Sequence, residues 1–293
     1  MMKKHFSFNF IPLLFIIISF SYECGAEQTV KWFHADFPPA FILHGDEKGT
    51  GYCDRMEKDV TSFLTDYKHE FYESNYKRIV KSLREGMNVC CASMYKTPER
   101  EKFSAYSEPI FIGMSNGIII SKEKKGTYEK YMTPERELDL HSLLKQEKNV
   151  RIGVFSGRNY GRSIENAISA FRKTETIQER SRNDSVALLN MLLRQRIHMI
   201  LALPMEISYV LRQSDIKKNA LRFFHVKGGE KFTTAYMACS GNEWGREVIE
   251  KINVIIRQKR SVFAEYYRDW LDKSGAEAYK KIVEKDFGIK LAE

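Results

Sequence analysis

The chain has 293 residues, a length that suits one large or two modest domains and leaves enough sequence to bury a core. Its formal net charge is +9, yet basic residues are interleaved with acidic ones, as in Glu147-Lys148 and Glu250-Lys251. With no Lys/Arg block and no aromatic-basic interleaving, the charge reads as a solvated surface and nucleic acid is excluded as a partner.

The first element in chain order is a targeting segment. Lys3 and Lys4 precede an apolar run from Phe10 to Ile18, and Cys24-Gly25-Ala26 then offers small residues at the positions a signal peptidase reads. The order predicts a leader over residues 1–26, cleavage before Glu27 and a periplasmic protein. An uncleaved anchor is the alternative, but the run is short of the roughly 20 residues that span a bilayer. Ser21-Tyr22-Glu23 is too polar to precede a lipidated Cys24. Beyond the leader, Cys53, Cys90, Cys91 and Cys239 fit no zinc spacing. In an oxidising compartment they form one or two disulfides, or serve as small buried hydrophobes.

Val30 to Ala35 reads as a strand stopped by Pro38-Pro39. A helix from about Tyr52 follows a glycine-rich turn, with Met56, Val60, Phe63, Leu64 and Tyr67 at helical spacing. His69 to Glu73 is a strand, and Asn75 to Glu85 a helix stopped by Gly86. Asn88 to Tyr95 is apolar enough to be a central strand. Strands alternating with helices imply an α/β fold with a parallel sheet. The extended segment Pro109 to Ile120, broken by small residues, is long enough to leave one lobe and enter another.

Residues 122–148 are charged and linker-like. The pattern then restarts: strand Val150 to Phe155, the turn Ser156-Gly157-Arg158 opening a helix from Asn159, and a short strand at Ile177 to Arg180. A helix capped by Asn183 or Asp184 turns Val186, Leu189, Leu192 and Leu193 inward. A strand over His198 to Leu203 ends at Pro204. Strands at Leu221 to Val226 and Phe232 to Cys239, then two helices, bring the chain back. Two lobes joined by crossing strands follow: residues 27–115 with 223–293, and residues 116–222. In such folds the site lies at facing carboxyl ends of parallel strands.

Four stretches resemble the family-3 extracellular solute-binding proteins, the periplasmic receptors of polar amino-acid transporters: Asp36 to Phe41, Gly51 to Asp54, Thr97-Pro98-Glu99-Arg100 with Phe103-Ser104 and Ser107-Glu108-Pro109, and Arg151 to Gly157. The resemblance spans nearly the whole chain beyond the leader, as a divergent relative. It implies a type II two-lobed periplasmic binding protein fold with a ligand cleft between the lobes. By the same resemblance Arg100, with Thr97 in its loop, clamps a ligand carboxylate, for which a planar guanidinium is suited. Ser156, Gly157 and Arg158 contact the same group from the second lobe, and Phe37 or Trp32 forms an aromatic wall. The chain departs from the amino-acid receptors where they hold the ligand's amine with an aspartate. Here Leu203-Pro204 stands in its place, leaving Glu206 or Asp36 as the acidic candidates.

The expectation is a monomeric binding module for a small anionic solute, without metal or cofactor, serving a transporter permease. A sensory module docking on a membrane receptor differs only in its partner. An enzyme on the same fold lacks support, since His34, His44, His69, His198 and His225 are scattered and no nucleophile sits beside a base.

Overall fold

In the computed structural model the described residues are 28–156, 158, 160–180, 185–214 and 220–291. The leader and its cleavage point before Glu27 lie outside them, as do Gly157, Asn183 and Asp184. Chain order is β1 (Gln28–Ala35), α1 (Tyr52–Phe63), β2 (Tyr67–Ser74), α2 (Tyr76–Arg84), β3 (Val89–Met94), β4 (Ser104–Met114) and β5 (Gly117–Ser121). Next come α3 (Leu140–Gln146), β6 (Ile152–Phe155), α4 (Arg162–Ile168), β7 (Ile177–Arg180), α5 (Ser185–Leu193), β8 (Met199–Ala202) and α6 (Pro204–Arg212). The chain ends with β9 (Leu221–Phe224), β10 (Phe232–Ser240), α7 (Glu243–Arg268) and α8 (Lys273–Phe287).

These elements build two five-stranded sheets, ordered β2-β1-β3-β10-β4 and β7-β6-β8-β5-β9. In each, three parallel strands are joined by antiparallel ones contributed by the crossing segments. The chain passes outward through Ser115-Asn116, where the apolar run between β4 and β5 is interrupted by two polar residues. It returns between β9 and β10. That return is later than residue 223, because Phe223 and Phe224 still pair with Ile119 and Ile118 of the second sheet. Gly117 permits this pairing: a Cβ there would stand 2.5 Å from the Phe224 carbonyl oxygen, too close for any side chain.

Local chemistry explains the element boundaries. The Asn75 side chain accepts the Arg78 N–H at the start of α2, and Gly86 beyond its end has φ +66°. Asn242 accepts the Gly245 N–H at the start of α7, whose Val248, Ile249, Ile252, Ile255 and Ile256 recur at helical spacing and pack into the first-lobe core. Asp54 accepts the Ile42 and Gly51 N–H groups at 2.9 and 3.0 Å. The Gly51-Tyr52-Cys53-Asp54 stretch therefore anchors the loop that carries Phe37.

Three expectations need correction. Residues 122–148 are no linker: a 3-10 segment over Lys122–Tyr131, α3 and the stretch between them bury Tyr128, Tyr131, Leu138, Leu140, Leu143 and Leu144 in the second lobe. The turn after β6 does not open a helix directly, since α4 begins only at Arg162. Val186 is 55% exposed, and Leu188 takes the inward position beside Leu189 and Leu192. Among the described residues no helix is long and apolar enough to cross a membrane.

Cys90 and Cys239 stand opposite each other on β3 and β10 and form a disulfide across 149 residues of sequence. Cys53 and Cys91 are buried free thiols, and burial pushes the Cys91 thiol up to about 12, so it acts as a small apolar side chain. The disulfide closes a long loop that includes the whole second lobe. Its reduction should cost about 2–4 kcal/mol. Chemical denaturation with and without reductant checks this; coincident midpoints would show that the bond contributes nothing.

Candidate functional site

The parallel strand β3 ends at Met94, and the chain then turns through Tyr95 to Glu99 into a 3-10 turn, Arg100–Lys102. The Thr97 hydroxyl accepts the Arg100 N–H at 3.3 Å, and Arg100 Nη1 donates to the Tyr95 carbonyl at 2.9 Å. These bonds hold the guanidinium at the sheet edge facing the second lobe. Its acidic neighbours are engaged elsewhere: Glu99 with Arg84 at 3.1 Å and Glu101 with Lys96 at 2.8 Å. Among the described residues no carboxylate pairs with Arg100.

Across the cleft, Arg158 follows β6 and makes a bidentate pair with Glu206. Nη1 donates to Oε2 at 2.7 Å and Nη2 to Oε1 at 2.6 Å, with side-chain exposures of only 11% and 2%. Glu206 lies in the first turn of α6 and also accepts the Leu203 N–H at 2.9 Å. Burial acts to lower the Arg158 pKa, but the Glu206 charge and hydrogen bonds outweigh it and leave the guanidinium raised above its ordinary value. The guanidinium also stacks over Phe155 at 4.3 Å and over Phe37 of the first lobe at 5.1 Å.

Between the lobes lie two connected spaces that share Tyr95, Arg100, Asn116 and Thr233. The inner chamber, about 220 Å³, is walled by Phe37, Tyr52, Tyr95, Phe111 and Tyr267, with Arg100, Arg158, Asn116, Ser93 and Thr233 as polar members. Phe111 and Tyr267 stack at 5.4 Å, and Tyr52 stands edge-on to both at 5.1 and 5.2 Å. The outer basin is wider, about 990 Å³, and adds Lys96, Thr97, Arg162 and Glu230. Asn116, at the crossing between the sheets, carries a buried Oδ1 with no partner among the described residues.

The structure brings Arg100, Thr97, Arg158, Phe37 and Glu206 to this cleft or against its wall. Others fall outside it. Trp32 is buried in the first-lobe core, where its Nε1 donates to His69 Nδ1 at 3.0 Å, and it lines neither space of the cleft. Asp36 accepts the Leu43 N–H at 3.0 Å and fastens its own loop. Ser156 is exposed, its backbone N–H donating to the Arg180 carbonyl at 2.9 Å, and Gly157 lies outside the described residues. Arg158 faces its own lobe's acid, a different role from the open clamp expected. The sequence reading missed the tyrosines Tyr52, Tyr95 and Tyr267 and the crossing Asn116. For Asn116 the signal was a polar break within an apolar strand; the tyrosines resembled ordinary core.

The family model of the bacterial extracellular solute-binding proteins, family 3, matches residues 32–289. Among solved structures, an ancestral cationic amino acid solute-binding protein is 16% identical over 84% of this chain and 96% of its own, with a TM-score of 0.61. The GluR0 ligand-binding core in complex with L-glutamate is 16% identical over 85% of this chain and 100% of its own, at 0.60. A putative L-cystine ABC transporter from Listeria monocytogenes is 15% identical over 85% and 98%, also at 0.60. At such identities the likeness is one of fold. No curated protein sequence matches the chain.

Removing one member of a buried ion pair leaves the other charge uncompensated, at a cost of about 3–5 kcal/mol. Glu206→Ala should therefore lower unfolding stability by that amount, measured by urea denaturation. A loss of less than about 1 kcal/mol, the range of an exposed pair, would show that Arg158 finds solvent instead.

Proposed function

This chain belongs to the bacterial extracellular solute-binding proteins, family 3, and we propose that it captures a small, carboxylate-bearing solute between its lobes for a membrane transporter. The observation that carries this reading is the Arg100 guanidinium. It lines both spaces of the cleft, is held by backbone contacts, and has no carboxylate partner among the described residues. A cation so placed offers a planar donor fork to an entering anion. The second lobe closes the cleft with Leu203, Met205 and the Arg158–Glu206 pair.

Capture without chemistry is the reading favoured by the lining, in which aromatic and aliphatic side chains surround hydroxyls, one amide and two arginines. His34, which pairs with Glu57 at 2.7 Å, is buried away from the cleft. The basic, apolar and small-residue order of residues 1–26 supports export, with the processed chain starting at Glu27 and working outside the cytoplasmic membrane.

Hydrogen bonds to a charged group contribute roughly 1.5–3 kcal/mol each. With a solute found by thermal-shift screening of amino acids, carboxylates and small peptides, Arg100→Ala should weaken calorimetric binding at least about tenfold. The variant should keep its fold, because Arg100 makes only a rim contact to the Tyr95 carbonyl. Unchanged affinity in a folded Arg100→Ala protein would overturn the reading.

A further inference from the structure

We propose that the solute of this cleft is an aromatic carboxylate that carries no ammonium group. The proposal rests on the carboxylate-binding reading above and narrows it. The charged side chains lining the inner chamber are Arg100 and Arg158, and no carboxylate lines it among the described residues. The one acid against its wall, Glu206, has both oxygens engaged by Arg158, and Oε2 also accepts the Leu203 N–H. The pair is neutral within itself, so the chamber presents one uncompensated positive charge, that of Arg100. An entering anion answers that charge. An ammonium would shed its hydration beside a guanidinium, with no free acid to receive it.

The body of the ligand is read from the walls. Phe37 and Tyr95 keep accessible surface in the lining, whereas the stacked Phe111 and Tyr267 and the edge-on Tyr52 are at most 7% exposed, so a ligand ring packs on Phe37 and Tyr95. An apolar cavity of roughly 150 Å³ admits benzene. The chamber's 220 Å³ holds one ring and a short arm that reaches Arg100. Ring faces attract cations as well, but Phe37 already carries the Arg158 guanidinium at 5.1 Å. The repulsion from Arg100 remains for any other cation.

The test is calorimetric titration of the purified protein with 3-phenylpropionate, L-phenylalanine, phenethylamine and succinate. The expected order places 3-phenylpropionate at least tenfold tighter than phenylalanine and succinate, with no binding of phenethylamine. Phenylalanine or phenethylamine binding as tightly as 3-phenylpropionate would overturn the proposal. Succinate alone binding would also overturn it while leaving carboxylate capture by Arg100 standing; no carboxylate binding at all would remove both. Arg158→Gln frees the Glu206 carboxylate and should raise phenylalanine affinity relative to 3-phenylpropionate at least tenfold. An unchanged ratio in the folded variant would contradict the proposal, and should that variant not fold, the wild-type series decides.

Discussion

A guanidinium almost withdrawn from water needs its counter-ion within hydrogen-bond reach, and in this protein that requirement joins Arg158 to Glu206. The pair fastens the loop after β6 to the first turn of α6, and Glu206 also holds the Leu203 N–H where β8 gives way to that helix. The chemistry of the cleft follows from this bond. It engages the acid against the inner chamber's wall and offsets one of the two arginines that line it, leaving Arg100 without a carboxylate partner among the described residues.

The helix that supplies Glu206 also docks the lobes. Met205 joins the first-lobe core, where the Tyr267 hydroxyl points at its sulfur at 3.9 Å while accepting the Met114 N–H at 2.8 Å. Further along α6, Tyr209 packs on Trp270 at 5.7 Å, and Arg212 stacks on the same indole at 4.8 Å while donating to the Asp269 carbonyl. Gln213 donates to Glu47 at 2.9 Å. One short helix thus both holds the acid of the cleft's ion pair and packs against the first lobe.

Much of this architecture was legible in the sequence because strand and helix periods were clean where one face is buried. The Thr97 to Arg100 loop followed from an apolar central strand, and the passage between lobes from the length of the extended segment Pro109 to Ile120. That Arg158 and Glu206 meet was not legible, because they are 48 residues apart and only tertiary packing joins them. Trp32 was misplaced since β1 is buried on both faces from Trp32 onward, and such a strand gives no alternation to separate cleft from core. Residues 122–148 concealed their buried tyrosines because a 3-10 segment repeats every three residues and carries its charges among them. In α5 nearly every residue is apolar, so the inward face could not be chosen by pattern.

A carboxylate entering the cleft is expected to meet Arg100 while Arg158 stays with Glu206. The most direct measurement is a crystal structure of the protein with a bromine-substituted arylpropionate, whose heavy atom fixes the ring independently of the carboxylate. The expected result is the carboxylate on the Arg100 guanidinium, the ring in the inner chamber against Phe37 and Tyr95, and the Arg158–Glu206 pair intact. A ligand carboxylate that displaces Glu206 from Arg158, or a ring lodged in the outer basin with Arg100 uncontacted, would contradict it.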